Sequence, residues 1–167
     1  MIAIPLLVIH YFNAISKPMK TLILTFLLVL TSAQAAQLTI NLPCSDEILR
    51  FSAETRADQS VGDLSVKIFK AHQIPFQGTA MGMNSILETP TGSEALDIVS
   101  DSEMFAYGWC YSINGYEPEL FPNEIQVSDN DHIVWWFGYA HYKEGQWISQ
   151  CEPSSTRRLS TYCQENL

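Results

Sequence analysis

Apolar and polar positions divide the 167-residue chain into three zones. The first zone is apolar. Ile2 to Ile9 is too short to cross a bilayer as a helix. After Lys17-Pro18-Met19-Lys20 comes the apolar segment Thr21 to Leu30, closed by Thr31-Ser32-Ala33-Gln34-Ala35-Ala36. A basic start, an apolar core and small residues in the A-x-A pattern predict a secretory signal over residues 1–35, cleaved between Ala35 and Ala36. Met19-Lys20 opens that signal directly, so Met19 is the expected start and the preceding residues a start-site artefact. The alternative is an uncleaved anchor. No second apolar segment of spanning length follows, so no stable membrane insertion is expected after cleavage.

The second zone changes period several times. Gln37 to Leu42 and Ile48 to Thr55 alternate and read as two strands around the turn Pro43 to Glu47, with Leu49, Phe51 and Ala53 facing one way. Ser60 is a helix N-cap with Asp63 three positions on; Val61, Leu64, Ile68 and Ala71 then recur at helical spacing until Pro75. Phe76 to Asn84 reads as a loop containing Gly78 and Gly82. Short strands follow at Ile86-Leu87 and Leu96 to Val99, divided by Thr89-Pro90-Thr91-Gly92. Phe105 to Ile113 is a strand closed by the turn pair Asn114-Gly115. Tyr116 to Asn123 is a Pro-containing loop, Glu124 to Val127 a short strand, and Ser128 to Asp131 a second turn. His132 to Tyr142 is the last predicted strand and the most aromatic.

Two strands, one helix and several more strands predict an α+β domain over residues 36–143, with the helix across one face of a mixed sheet. The β-grasp, or ubiquitin-like, arrangement is the common solution for this order. The third zone, residues 144–167, has little periodicity and two cysteines, and is expected to be stapled rather than packed.

Composition sharpens this picture. Removal of Lys17 and Lys20 leaves 7 basic against 18 acidic residues, a net charge of −11. Arg157-Arg158 is the one local basic pair, which argues against nucleic acid and anionic membrane surfaces as partners. All four cysteines, Cys44, Cys110, Cys151 and Cys163, follow the cleavage site. In an oxidising compartment, periplasmic or extracellular, an even number predicts two disulfides in one of three connectivities. A Cys110–Cys151 bridge would be worth about 4 kcal/mol in the chain-entropy model. A zinc site is the rival reading, with no C-x-x-C or close Cys/His pair to support it.

Two motifs carry a resemblance. Gly108-Trp109-Cys110-Tyr111-Ser112-Ile113-Asn114-Gly115 and Val127-Ser128-Asp129-Asn130-Asp131-His132-Ile133-Val134-Trp135 together resemble a bacterial domain family of unknown function. That family is similar to the C-terminal domain of transcobalamin and intrinsic factor. The helix start Val61-Gly62-Asp63-Leu64 also fits, and the resemblance covers roughly Leu38 to Tyr142. It implies a β-grasp-like fold and a non-catalytic role; in the cobalamin carriers this domain caps a corrinoid held mainly by a larger helical domain. Asn130 departs from the pattern, standing where the family tends to have Gly, but Asn tolerates the left-handed backbone the turn needs.

Candidate chemistry concentrates on the aromatic strand. Ile133, Trp135, Phe137 and Tyr139 share one face, and Val134, Trp136, Gly138 and Ala140 the other. A strand apolar on both faces needs a cover on each. One reading is the protein's own loops or tail. The other is a ligand or partner surface carrying Trp109, Tyr111 and Trp136, with Asn114, Tyr116 and Tyr139 as further candidates. Its expected occupant is a flat aromatic molecule such as a tetrapyrrole, or a protein of the cell envelope. Asn114-Gly115 also reads simply as a turn.

His72, His132 and His141 fall at a helix end, a turn and a strand end, ordinary places for solvated histidine, and no metal ligands are assigned. Glu117 with Glu119, and Asp129 with Asp131, fit no EF-hand spacing and read as solvated acidic turns. No G-x-S-x-G nucleophile motif or phosphate loop is present. The chain is therefore expected to be a non-enzymatic binding module without a cofactor.

Overall fold

The computed structural model describes residues 35–165. The expected signal core at 21–30 and the expected start at Met19 lie outside them. Strand β1, Ala36–Asn41, and strand β2, Ile48–Ala53, form an antiparallel hairpin in which Leu38 faces Phe51 and Ile40 faces Leu49. Ala36, Leu38 and Ile40 are fully buried, so one side of β1 is core while β2 lies at the sheet edge.

Helix α1, Val61–Ala71, begins where the sequence places it. Ser60 Oγ accepts a hydrogen bond from the Asp63 amide at 3.0 Å and donates to Asp63 Oδ2 at 2.6 Å. Val61, Leu64, Ile68 and Phe69 turn into the core. Ala71, expected on that face, is exposed, and Phe69, not expected there, is fully buried and contributes far more apolar surface. The helix stops before Pro75 because Gln73 turns left-handed (φ 56°) and the Ile74 amide reaches back to the Phe69 carbonyl at 2.9 Å.

The next segment corrects the sequence reading. The predicted loop at Phe76–Asn84 is an antiparallel hairpin of strands β3, Phe76–Thr79, and β4, Gly82–Ile86. Gly78, at φ 154°, hid the alternation, because a Cβ there would meet the Gly82 carbonyl oxygen at 2.5 Å. A 3-10 turn at Gly92–Ala95 leads into strand β5, Leu96–Ser100, which pairs with strand β6, Glu103–Ile113. The predicted strand at Glu124–Val127 is a 3-10 turn at Pro122–Glu124 followed by a single bridge between Gln126 and Ser60. The helix N-terminus takes those backbone groups, with Val61 N donating to Ile125 O and Val127 N to Gln59 O, both at 2.9 Å.

Strand β7, His132–Lys143, runs antiparallel to β6 along its length and parallel to β1 over His132–Trp136. It is not the last strand. Strand β8, Gln146–Pro153, folds back and pairs with the far half of β7, from Gly138 to Lys143. Because β6 occupies one whole edge of β7, β8 continues the edge that β1 leaves free. The sheet order is β2-β1-β7-β6-β5 with β8 beside β7, an α+β architecture of a mixed sheet with one main helix.

Two apolar clusters fill one face of this sheet. Trp135 and Ile133 join β1 and α1 in the larger, where the Trp135 indole donates to Ser65 Oγ at 3.0 Å. Phe137 and Tyr107 join Ala95 and Leu159 in the smaller. Leu159 comes from the segment between β8 and helix α2, Ser160–Glu165. The tail is thus packed as well as stapled, because β7 offers more apolar surface than one eleven-residue helix covers.

The disulfides join Cys44 to Cys163 and Cys110 to Cys151. They span 119 and 41 residues, contributing about 5 and about 4 kcal/mol in the chain-entropy model. Two such bonds are the pattern of a non-cytoplasmic chain. Among the described residues no helix is long and apolar enough to cross a membrane.

Candidate cleft at the open edge of β6

Strand β6 is longer than its outer neighbour. β5 reaches only to Ala106, and beyond it the edge of β6 has no strand partner among the described residues. A cleft of about 630 Å³ opens there. Trp109 and Tyr111 form its floor with Trp135, the β3–β4 hairpin supplies Met81 and Met83, and the loop 117–122 closes the other side. Met81, Leu120 and Phe121 remain 59, 54 and 60 % exposed, an apolar rim that the fold itself does not cover. The size lies within the 300–1,000 Å³ typical of small-molecule sites.

Both floor aromatics are held by their polar ends. The Trp109 indole donates to Thr89 Oγ1 at 2.7 Å, and the Thr89 carbonyl accepts from Ser85 Oγ at 2.7 Å. These bonds brace a tight turn in which Leu87 and Glu88 are both left-handed, at φ 57° and 59°. Side chains that lack glycine's freedom carry strain there, of order 1 kcal/mol each. Tyr162 fastens the same turn, its hydroxyl donating to the Leu87 carbonyl at 3.0 Å.

Tyr111 donates its hydroxyl to the Leu120 carbonyl at 2.7 Å and lies tilted against Trp135 with ring centroids 5.3 Å apart. Burial, with a smaller contribution from the Glu124 carboxylate, pushes its phenol up to about 12. It is therefore a fixed neutral donor that pins the wall loop. The Glu124 carboxylate holds the same loop by accepting from the Phe121 amide at 2.9 Å. The remaining charges of the lining are Glu117 and Glu119, both exposed, with no basic side chain beside them.

The six aromatic and amide candidates separate in space. Trp109 and Tyr111 share the cleft. Trp136 does not join them: it pairs in register with Cys110 and so faces the opposite side of the sheet. There it is only 8 % exposed, and its indole donates to the Cys151 carbonyl at 2.9 Å. The tail covers it, which is the reading that assigns the second apolar face to the chain itself.

Tyr139 lies by the smaller cluster, its hydroxyl 3.2 Å from Thr156 Oγ1. Asn114 serves the turn, at φ 54°, with Nδ2 donating to Asp131 Oδ1 at 2.8 Å and Oδ1 accepting from the His132 amide at 2.9 Å. Tyr116 closes that turn and projects into solvent. Trp135, Met81, Leu120 and Phe121 enter the lining without having been singled out. Trp135 closes the second motif, and Leu120 and Phe121 were signalled by the run Glu117-Pro118-Glu119-Leu120-Phe121-Pro122, in which two prolines frame exposed apolar residues.

Asp129, Asp131 and two of the histidines are engaged elsewhere. Asp131 Oδ2 accepts from Ser128 N at 2.7 Å, and Asp129 Oδ1 from Thr55 Oγ1 at 2.7 Å. Two histidines expected to be solvated are bonded. His132 Nε2 lies 2.8 Å from Thr39 Oγ1, and His141 stacks on Phe105 with Nε2 2.9 Å from Glu103 Oε1. Strand pairing brings these partners beside them, which the linear sequence does not show. Among the described residues, no three of His, Cys, Asp and Glu gather as a metal site.

No protein-family model matches the chain, and no curated protein matches it. Among solved structures it is similar to a protein of Ruminococcus gnavus ATCC 29149 provisionally named a metal-binding protein, at 14% identity and a TM-score of 0.42, over 68% of this chain and 99% of that one.

Proposed function

We propose that this is an exported, non-catalytic binding module that seats a flat, apolar group in the cleft over Trp109 and Tyr111. The carrying observation is the placement of both aromatics, each anchored by its polar end, in an open cleft of about 630 Å³ with an exposed apolar rim. Anchored rings present a preorganised surface, so little rotamer freedom is lost on binding. The fold is proposed to be a β-grasp: a hairpin, one helix, and a later strand parallel to β1 support that assignment. The two motifs that resemble the transcobalamin C-terminal family supply Trp109, Tyr111 and Trp135, which supports a planar tetrapyrrole as the small-molecule occupant. Titration of the purified chain with cobalamin and other tetrapyrroles should quench tryptophan emission. No change at high micromolar ligand would remove the small-molecule version.

A second reading, an envelope protein as partner, is favoured by the unpaired edge of β6 beside the same cleft. The two disulfides fit periplasm and extracellular medium equally. Pull-down with the whole chain should yield a partner that is lost on Trp109→Ala.

A further inference from the structure

The edge of β6 is directional. Ile113 N donates to Tyr116 O at 2.9 Å and Tyr116 N returns a bond to Ile113 O at 3.0 Å, so Ile113 turns both its amide groups away from β7. Antiparallel ladders alternate strictly. The outward amide groups of β6 therefore belong to Tyr107, Trp109 and Tyr111. Of these, Trp109 and Tyr111 lie clear of the last β5 pair, Leu96–Ala106, and neither is paired with a strand on that side among the described residues. A row of unpaired donors and acceptors is a template for another strand.

Folded chains usually blunt such an edge with lysine, proline or a bulge. Residues 107–112 contain neither lysine nor proline, and β6 pairs with β7 without a register shift. Instead the edge lies in a groove. The cleft meets a second depression of about 500 Å³ at Trp109, which also touches Tyr107 and Gly108. The cleft takes lining from both faces of the sheet, Trp109 and Tyr111 on one and Cys110 and Cys151 on the other. An added strand needs access to both faces, because its side chains alternate.

We propose that this edge takes up an extended, cationic segment of a partner protein as an added strand, pairing with Trp109 and Tyr111. The inference rests on the reading of the cleft as the binding site and names its occupant. Charge selects the partner. Glu117 and Glu119 stand in the wall with no lysine, arginine or histidine in the lining, on a chain of net charge −9. Main-chain bonds supply affinity in this mode, and the pockets that receive alternate side chains supply selectivity.

The test uses the purified full chain and a decapeptide of alternating valine and lysine. Its controls are the valine–glutamate counterpart and two versions N-methylated on the valine or on the lysine set. The valine–lysine peptide should bind, with amide exchange at Trp109 and Tyr111 slowed at least tenfold. One N-methyl set should weaken binding at least tenfold and the other should not, since only one set of N–H groups faces the edge. The double variant Glu117→Lys, Glu119→Lys should reverse the preference between the lysine and glutamate peptides. Binding indifferent to both N-methyl sets, or protection appearing on β2, β5 or β8 instead, overturns the proposal. Self-association of the free chain through this edge, seen by sedimentation, would place a second copy there and also overturns it. If tetrapyrroles quench tryptophan emission while no peptide binds at millimolar concentration, strand addition fails and the cleft stands; if neither binds, both fail.

Discussion

Gly138 lies beneath the carbonyl of Glu152, where a Cβ would come 2.9 Å from that oxygen and 3.1 Å from the Trp136 indole nitrogen. The absence of a side chain lets the bulge of β8 between Ser149 and Glu152 lean over β7 at this point. Cys151, itself left-handed at φ 57°, can then reach Cys110 on the far side. Gly138→Ala should destabilise the fold by about 1–3 kcal/mol, read as a lower urea midpoint. Trp136 should become more exposed to quenchers such as acrylamide.

Removal of the bridge that depends on this bulge should act in the same place. The double variant Cys110→Ser, Cys151→Ser should lose about 4 kcal/mol by the chain-entropy model. Its tryptophan emission should shift to the red as β8 lifts from Trp136. Loss of Cys44–Cys163 should cost about 5 kcal/mol and loosen Leu159 instead. An unchanged emission maximum in the first variant would contradict the cover assigned to Trp136.

Gly62 in α1 plays a similar part toward the β3–β4 hairpin. A Cβ there would run into the Ala80 carbonyl, coming 2.6 Å from its carbon. Backbone does not yield as a flexible side chain does, so Gly62→Ala should cost about 1–3 kcal/mol in thermal or urea denaturation. It should also displace the hairpin that carries Met81 and Met83, weakening any ligand of the cleft.

Tyr111→Phe removes the bond to Leu120 while leaving the ring beside Trp135. The expected loss is about 1 kcal/mol. A phenol whose folded value is raised binds its proton more tightly in the folded state. Its contribution is complete below the ordinary tyrosine value of 10 and is lost as pH climbs toward about 12. The ultraviolet difference titration between the parent and the variant should therefore centre near pH 12; a midpoint near 10 would contradict the geometry.

Glu103 predicts the acid limb. Hydrogen bonds from His141 and then from Lys143 hold its carboxyl below the ordinary value of 4.5. A depressed carboxylate stabilises the fold above its unfolded value and loses that contribution as pH falls through its folded value. Glu103→Gln should flatten this part of the stability profile between pH 5 and pH 3, measured by urea denaturation at each pH.

Local chemistry made much of this fold legible. The Ser60–Asp63 pair, the alternation in β1 and β2, and Asn114-Gly115 all specify their conformation through bonds or torsions of nearby residues. The β3–β4 hairpin was hidden by its glycines. The segment 124–127 has apolar alternation yet finds its partners at the start of α1.

The cleft shows the same division more sharply. The aromatic motifs point to Trp109 and Tyr111, but the side of the sheet taken by Trp136 depends on the register between β6 and β7. A shift of one residue reverses every facing, and that register is set by packing across the core. The sequence by itself determined an acidic α+β chain with four cysteines and a doubly apolar strand, because charge, period and residue type are properties of neighbours along the chain. Tertiary structure alone decided that β8 covers Trp136 and that β5 stops at Ala106, since both depend on segments far apart in sequence competing for the same edges.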